Sequence, residues 1–334
     1  MREQIIISYN KVVSTIRSST NELHMETCVQ LAEQFGLEFT TGPNSQYTFL
    51  FQDLCELIRQ KQNELHSLHP LEDAKYTVLS LSGGMDSTCL LIRLLKEGKE
   101  VTCLSFDYGQ KHAVEIQLAR DNVWYLQQRG FKIRHIIVDL CSAMEGFGSA
   151  LISDDVDVPE GHYAEDNMKL TVVPNRNAIF SAIIYGQALA ISSKYADENG
   201  KKRVDISLGI HSGDHSIYPD CRPEFRDQLE KAFKLGNYDS ELVSYYTPYI
   251  RGNKTSILQD CLQNCTELNL NFDHILSKTI TSYNPDSIGR SSGNSGSDIE
   301  RIEAFLNIGR KDPIEYQEPW EIVITKAKKI LGRV

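Results

Sequence analysis

Although the 334-residue chain holds eight cysteines, no two of them stand in a CxxC pair. A disulfide framework has no basis in such spacing, and scattered thiols suit a reducing compartment. The closest pair, Cys261 and Cys265, lies on an expected helix with no further ligand nearby, so both read as core or helix-surface thiols rather than a metal pair. No apolar run approaches the ~18 residues of a membrane-spanning helix, and the N-terminus shows no signal-peptide pattern. The expectation is a soluble, cytoplasmic protein with no membrane role. Basic charge is not in excess: 35 Lys and Arg stand against 45 Asp and Glu, a net charge of −10. That balance argues against nonspecific binding of nucleic acid, which calls for a basic stripe. Internal repeats are absent, and the Ser/Gly-rich stretch 287–298 is the one biased tract. A Walker-type loop, with its Gly-Lys-Ser/Thr, is missing too.

What is present is an ordinary soluble composition, 41% apolar and 24% charged, long enough for one large α/β domain with additions. Its focus is residues 76–91. Residues 76–81 are short, mostly apolar and followed at once by glycines, the pattern of a buried strand. Behind Ser87 and Thr88, the apolar run Leu90, Leu91, Leu94 and Leu95 reads as a helix. Between them lies Ser82-Gly83-Gly84-Met85-Asp86-Ser87. Adjacent glycines let the backbone pass close to a ligand with several N–H donors aimed at one point. With the positive end of the following helix, they make a cradle for phosphate. The plain alternative is a Gly-rich strand-to-helix turn; the flanking strand, the helix and the Asp-Ser pair favour the cradle. Ser-Gly-Gly-x-Asp-Ser resembles the motif of the PP-loop, or N-type ATP pyrophosphatase, superfamily. That resemblance implies cleavage of ATP between its α- and β-phosphates, leaving AMP on an activated substrate.

Pattern divides the chain into an accessory segment, 1–72, a nucleotide-binding core, 73–235, and a C-terminal helical lobe, 236–334. Within the first, helices are expected at 25–35 and 49–65, where apolar residues recur at three- and four-residue steps, with a turn at Gly42-Pro43-Asn44-Ser45. This segment is either packed on the core or a docking surface for a protein partner, and the sequence does not separate the two. Beyond Tyr76, strands at 100–106, 134–138 and 204–209 alternate with helices at 111–129, 177–194 and 223–234. The alternation predicts an α/β fold with a doubly wound parallel sheet, whose ligands sit at the carboxyl ends of the strands. The long acidic stretch 142–169, rich in Gly and Asp, reads as a loop over the site.

Four stretches fall where that sheet would build a site. They are Phe106-Asp107-Tyr108-Gly109-Gln110-Lys111-His112, Val173-Pro174-Asn175-Arg176-Asn177, the run from Gly213 through Tyr218-Pro219-Asp220-Cys221-Arg222-Pro223-Glu224-Phe225, and Thr247-Pro248-Tyr249-Ile250 with Lys254 just beyond. Singly each has a bland reading: a turn, a helix cap, or a polar loop residue such as Asp214 or His215. In this order and spacing, together with the phosphate loop, they resemble the 7-cyano-7-deazaguanine synthases over about residues 75–310. The resemblance implies ATP and Mg2+ as cofactors, with Leu81, Ser82, Gly83, Gly84, Met85, Asp86, Ser87, Phe106 and Arg176 around the nucleotide. It gives catalytic roles to Asp86, near the magnesium ion, and to Arg176 and Lys254, cations that offset charge on the departing pyrophosphate. Tyr108, Gln110, Asp214, Tyr218, Asp220 and Arg222 are implied around a small deazaguanine substrate. Members of that family adenylate 7-carboxy-7-deazaguanine, let ammonia displace AMP, and dehydrate the resulting amide to a nitrile.

The chain departs from the family at one place. Family members hold a structural zinc through a Thr-x-Thr-Cys-Tyr cysteine and a Cys-Gly-x-Cys-x-x-Cys cluster ahead of an Arg. Here the matching frames are Thr279-Ile280-Thr281-Ser282-Tyr283 and Ser292-Gly293-Asn294-Ser295-Gly296-Ser297-Asp298, followed by Arg301. Ser282, Ser292, Ser295 and Asp298 stand where the cysteines belong. Hydroxyls are poor zinc ligands, so no zinc is expected. The lobe must then lean on residues 1–72, on a second subunit in a homodimer, or on nothing, with its 284–298 loop loosely ordered. The divergence also suggests a relative of the kind found in antiphage defence, in which an amine of a partner protein takes the acyl group. A non-catalytic nucleotide-binding subunit is a further alternative, which the intact loop, Arg176 and Lys254 disfavour. A tRNA-thiolating or lysidine-forming PP-loop enzyme would call for a catalytic cysteine pair or a basic RNA surface, and neither is visible.

Overall fold

The computed structural model describes residues 2–40, 46–110, 114–149, 172–213, 219–282, 286 and 289–332. The chain forms two compact units, Met1–His69 with Pro223–Glu230, and Pro70–Arg222 with Lys231–Val334.

The first unit is built on α1 (Arg2–Ser18), α2 (Glu22–Phe39) and α3 (Thr48–His66). Apolar residues at helical steps give each helix one buried stripe. Ile5, Val12 and Ile16 of α1 meet Met25, Cys28, Ala32, Phe35 and Phe39 of α2 and Leu54, Ile58 and Leu65 of α3. Asp227, buried in the same unit, accepts hydrogen bonds from Arg59, at 3.0 Å, and from Asn63. The sequence reading found α2 and α3 but not α1, whose Ile, Val and Thr residues are weak helix formers and blur its apolar stripe. The Gly42 to Ser45 turn lies outside the described residues, apart from which α2 and α3 run longer than expected at both ends.

In the second unit β1 (Tyr76–Ser80), β2 (Glu100–Asp107), β3 (Ile133–Asp139), β4 (Val204–Ser207) and β5 (Val243–Tyr246) form one sheet, in the order β3-β2-β1-β4-β5. Every pairing is parallel, Val78 of β1 lying between Thr102 of β2 and Ile206 of β4. Alternate residues of the strands enter two cores. Leu79, Val101, Cys103 and Tyr246 pack with α4 (Met85–Lys96), α5 (Val114–Gln127), α9 (Lys254–Glu267), α10 (Phe272–Ser277) and α11 (Gly296–Asn307). Val78, Leu104, Ile206 and Tyr245 pack on the other face with α7 (Arg176–Lys194). The sheet is therefore doubly wound and parallel. Helices α6 (Cys141–Met144), α8 (Pro223–Gly236) and α12 (Trp320–Ile330) complete the chain. Cys261 and Cys265 are fully buried in the first of these cores.

Three expectations need correction. The C-terminal region 236–334 is not helical throughout, because β5 extends the sheet beside β4; four residues, Val-Ser-Tyr-Tyr, are too few to carry a strand pattern against helical neighbours. The expected loop 142–169 opens inside α6, and its residues 150–169 lie outside the described residues. Helix α4 starts at Met85, two residues ahead of Ser87, with Gly84 as its extended cap residue. Among the described residues no helix is long and apolar enough to cross a membrane.

Candidate active site

Strand order decides where the site forms. From β1 the chain moves outward to β2 and β3, then returns to the other side of β1 for β4. The segments leaving β1 and β4 thus part in opposite directions and leave a crevice at their carboxyl ends. Ser82 and Gly84 line it from one side. Gly83 has φ +90°, and a Cβ there would lie 2.1 Å from the backbone oxygen of Glu115 in the first turn of α5. Only glycine lets the loop lie this close to α5. Gly209, after β4, presses on α4 in the same way, its imagined Cβ 3.0 Å from the backbone nitrogen of Ser87. The Ser82 hydroxyl is 3.0 Å from that of Ser87 and accepts from the Gly84 N–H at 3.1 Å. No side chain caps α4, so its leading N–H groups and the positive end of its dipole face the crevice.

Asp86, in the first turn of α4, accepts a 2.8 Å hydrogen bond on Oδ2 from Lys254 Nζ at the start of α9. Lys254, itself buried, also lies 3.0 Å from His211 Nε2 and 3.6 Å from Glu300 Oε2. Burial works to raise the Asp86 pKa; the charges of Lys254 and then His211 outweigh it and hold the carboxyl below its ordinary range. Oδ1 of Asp86 is buried and has no partner among the described residues.

Across the crevice stand aromatic and polar groups carried by β2 and α7. The rings of Phe106 and Phe180 stack at 4.0 Å, and Tyr108 tilts on Phe180 at 5.5 Å. Arg176 opens α7 behind Asn175, whose backbone is left-handed, and donates to the Tyr108 hydroxyl at 3.4 Å. The Gln110 side chain accepts from the Tyr108 N–H at 2.9 Å and donates to Phe106 O at 3.1 Å and Glu115 Oε1 at 3.0 Å. It thereby folds the Asp-Tyr-Gly-Gln turn on itself and fixes Glu115. Burial pushes the Glu115 carboxyl up to about 7, against the pull of Gln110 and Arg176.

These groups enclose a cleft of about 280 Å³. Of the residues expected around ATP and substrate, Leu81, Ser82, Gly84, Met85, Asp86, Phe106, Tyr108, Gln110, Arg176 and Lys254 line it. Gly83 and Ser87 support the loop from behind. Asp220 and Arg222 are not among the lining residues, although Cys221 between them accepts from Asn177, which is, at 3.3 Å. Asp214 and Tyr218 lie outside the described residues. Sequence reasoning missed Glu115, Phe180, Ile280, Thr281 and Ser297 in the lining, and His211 and Glu300 beside Lys254. His211 sits just past β4, so its place at a strand end was the available signal; Glu300, inside a helix, gave none.

The zinc frame has a different centre. The Asp298 carboxylate, fully buried, accepts from Ser282 Oγ at 2.9 Å, Ser291 Oγ at 2.5 Å, Ser292 Oγ at 3.2 Å, Gly293 N at 3.1 Å and Ser295 N at 3.3 Å. Ser295 in turn caps α11 through the Asp298 N–H. The frame's three hydroxyls and one carboxylate, with Ser282 and Ser292 bonded to Asp298 and Ser295 Oγ engaged by the Asp298 N–H and Ser297, do not fit a tetrahedral zinc that prefers thiolate and imidazole. Ser297 Oγ donates to Thr281 O at 2.8 Å and Ile280 N donates to Gly83 O at 3.2 Å, so this cluster backs the part of the cleft lined by Ile280, Thr281, Ser282 and Ser297. Beneath it Arg301 and Asp312, both wholly buried, pair at 2.7 Å.

A doubly wound parallel sheet with a Ser-Gly-Gly-x-Asp-Ser loop at its switch point defines a nucleotide-using PP-loop protein. More particularly, the family model described as queuosine biosynthesis protein QueC matches residues 76–309, and the chain belongs to that family. The 7-cyano-7-deazaguanine synthase of Pseudoalteromonas translucida is 38% identical over 240 residues, 72% of this chain and 98% of the relative. The 7-cyano-7-deazaguanine synthase 1 of Colwellia psychrerythraea is 37% identical over 244 residues, 73% of this chain and all of the relative. A solved NMN synthetase from Francisella tularensis covers 82% of this chain and 96% of its own at 14% identity, with a TM-score of 0.37, too slight a likeness to bear on function.

Proposed function

We propose that the chain activates the carboxylate of a 7-deazaguanine acid with ATP, releasing pyrophosphate, and passes the acyl group from AMP to an amine. The observation that carries this reading is the meeting of the glycine loop, Asp86, Lys254 and Arg176 in one cleft of a chain that belongs to the deazaguanine-synthase family. The Ser82 hydroxyl and backbone N–H groups at the start of α4 would hold phosphate oxygens. Arg176 and Lys254 would stabilise the negative charge that grows on the departing pyrophosphate, in a crevice where such pairs act strongly. Asp86 fits one Mg2+ contact, since its unpartnered Oδ1 is a hard oxygen donor and such ions need only one or two carboxylates beside the phosphates; bound there, Mg2+ would neutralise phosphate charge. Phe106, Phe180 and Tyr108 would offer flat apolar surface to purine-like rings. The zinc-frame residues are assigned no metal, and the enzyme is read as acting in the cytoplasm.

Exchange of labelled pyrophosphate into ATP tests the activation step. It should appear only when 7-carboxy-7-deazaguanine is added, and Asp86→Ala should lower it by a factor of about 10²–10³. Exchange without the acid, or full exchange by the variant, would refute the reading.

A second reading concerns the amine. The family match starts at residue 76, whereas the first unit has its own core and exposes Ile7, Leu23 and Phe49. That surface supports a protein acceptor docked on residues 1–72, in place of ammonia. Intact-mass measurement of a co-expressed acceptor should then show a deazaguanine adduct, whereas nitrile formed promptly from ammonia favours the small-molecule product.

A further inference from the structure

Glu115 has no role in the activation step just described, yet it is the one carboxyl besides Asp86 among the described residues lining the cleft. Its position is built rather than incidental. The first turn of α5 carries it against Gly83, and Gln110, with its hydrogen-bonding groups engaged, holds Oε1 at 3.0 Å. Oε2 has no partner among the described residues. Arg176 is near enough to act on it electrostatically, so the carboxyl belongs to the end of the cleft where the aromatic rings and Arg176 meet.

We propose that Glu115 is the general base of acyl transfer, taking a proton from the incoming amine. The inference rests on the adenylation reading. In the first transfer the amine nitrogen bonds to the carbonyl carbon of the acyl adenylate, and a Glu115 carboxylate oxygen takes one proton from that nitrogen. The carbonyl re-forms as the carbon–oxygen bond to AMP breaks, and AMP leaves with the electron pair. Once Glu115 has returned that proton to solvent, adenylation of the amide oxygen by a second ATP, with release of pyrophosphate and one nitrogen proton, would leave an imidate; loss of its last N–H proton to Glu115, with departure of AMP on the carbon–oxygen electron pair, gives the nitrile. A base serves best when its pKa lies near the working pH, and burial brings Glu115 there, to about 7.

The test separates the two half-reactions of the full-length protein with ATP, Mg2+, 7-carboxy-7-deazaguanine and ammonium. Glu115→Gln keeps the shape and the bond to Gln110. It should retain pyrophosphate exchange within about 3-fold while amide formation falls by about 10²–10⁴-fold. Hydroxylamine, a strong nucleophile that needs less help from a base, should recover product from the variant, and Glu115→Asp should retain part of the wild-type rate. In wild-type protein at constant free ammonia, amide formation should rise with pH through about 7, while exchange does not follow it. Loss of exchange and transfer together would assign Glu115 to folding or ATP binding and overturn the proposal, as would transfer at the wild-type rate or a flat wild-type pH profile. Wild-type protein that shows no acid-dependent exchange would bring down the adenylation reading, and Glu115 with it.

Discussion

Substitution of Asp298 by Ala measures how much of the C-terminal region hangs on one carboxylate. Five donors converge on it. Three are serine hydroxyls, whose O–H groups can turn to other acceptors. The other two, the N–H groups of Gly293 and Ser295, are fixed by the backbone. A buried donor left without a partner costs ~1–3 kcal/mol, so these two alone imply about 2–6 kcal/mol. In a unit of this size that is a fall of about 4–24 °C in Tm. Asp273→Ala, which removes an exposed pair with Arg310, is the control and should cost no more than ~1 kcal/mol. Differential scanning calorimetry reads both. Zinc should be absent from the purified protein by elemental analysis, and a chelator should leave Tm unchanged. A loss under ~1 kcal/mol for Asp298→Ala, or a chelator-induced shift, would refute the view that the carboxylate replaces a metal here.

Two further outcomes follow from particular residues. Gly83→Ala should abolish pyrophosphate exchange, since its Cβ would meet the Glu115 backbone oxygen at 2.1 Å, whereas Gly98→Ala, also at positive φ but with nothing within 4 Å, should cost only the ~1 kcal/mol of left-handed strain; equal effects on exchange would rule out the close approach. His135 is half-buried, 2.8 Å from Ser105 Oγ, and burial, with Arg120 adding to it, pushes its pKa down to about 4. Its unfolded value is about 6.5, so below that pH the unfolded chain binds the proton first. Stability should therefore fall as pH drops from about 6.5 towards 4. Urea titrations at pH 7 and 4.5 should show a smaller loss for His135→Gln than for wild type, and equal losses would contradict the assignment.

The strands β1 to β4 were legible as short, largely apolar runs alternating with helical patterns, and the Ser-Gly-Gly-x-Asp-Ser loop because its two glycines and Asp-Ser pair are neighbours in sequence. Helix α1 escaped because its β-branched residues are chosen for packing rather than propensity, and β5 because it is too short to state a period. Lys254 and Arg176 were reached through family resemblance; spacing alone does not join them to Asp86.

The sequence by itself determined the class of fold, the place of the Ser-Gly-Gly-x-Asp-Ser loop after β1 and the replacement of cysteine in the zinc frame, since each is written in local runs of residues. Only the tertiary structure brought Lys254 to Asp86, with His211 and Glu300 beside it, braced Glu115 with Gln110, and gathered five serine and glycine positions on Asp298. Those groups come from separate elements, and the electrostatics that matter between them act through a few ångströms of buried space, a distance that chain order does not record.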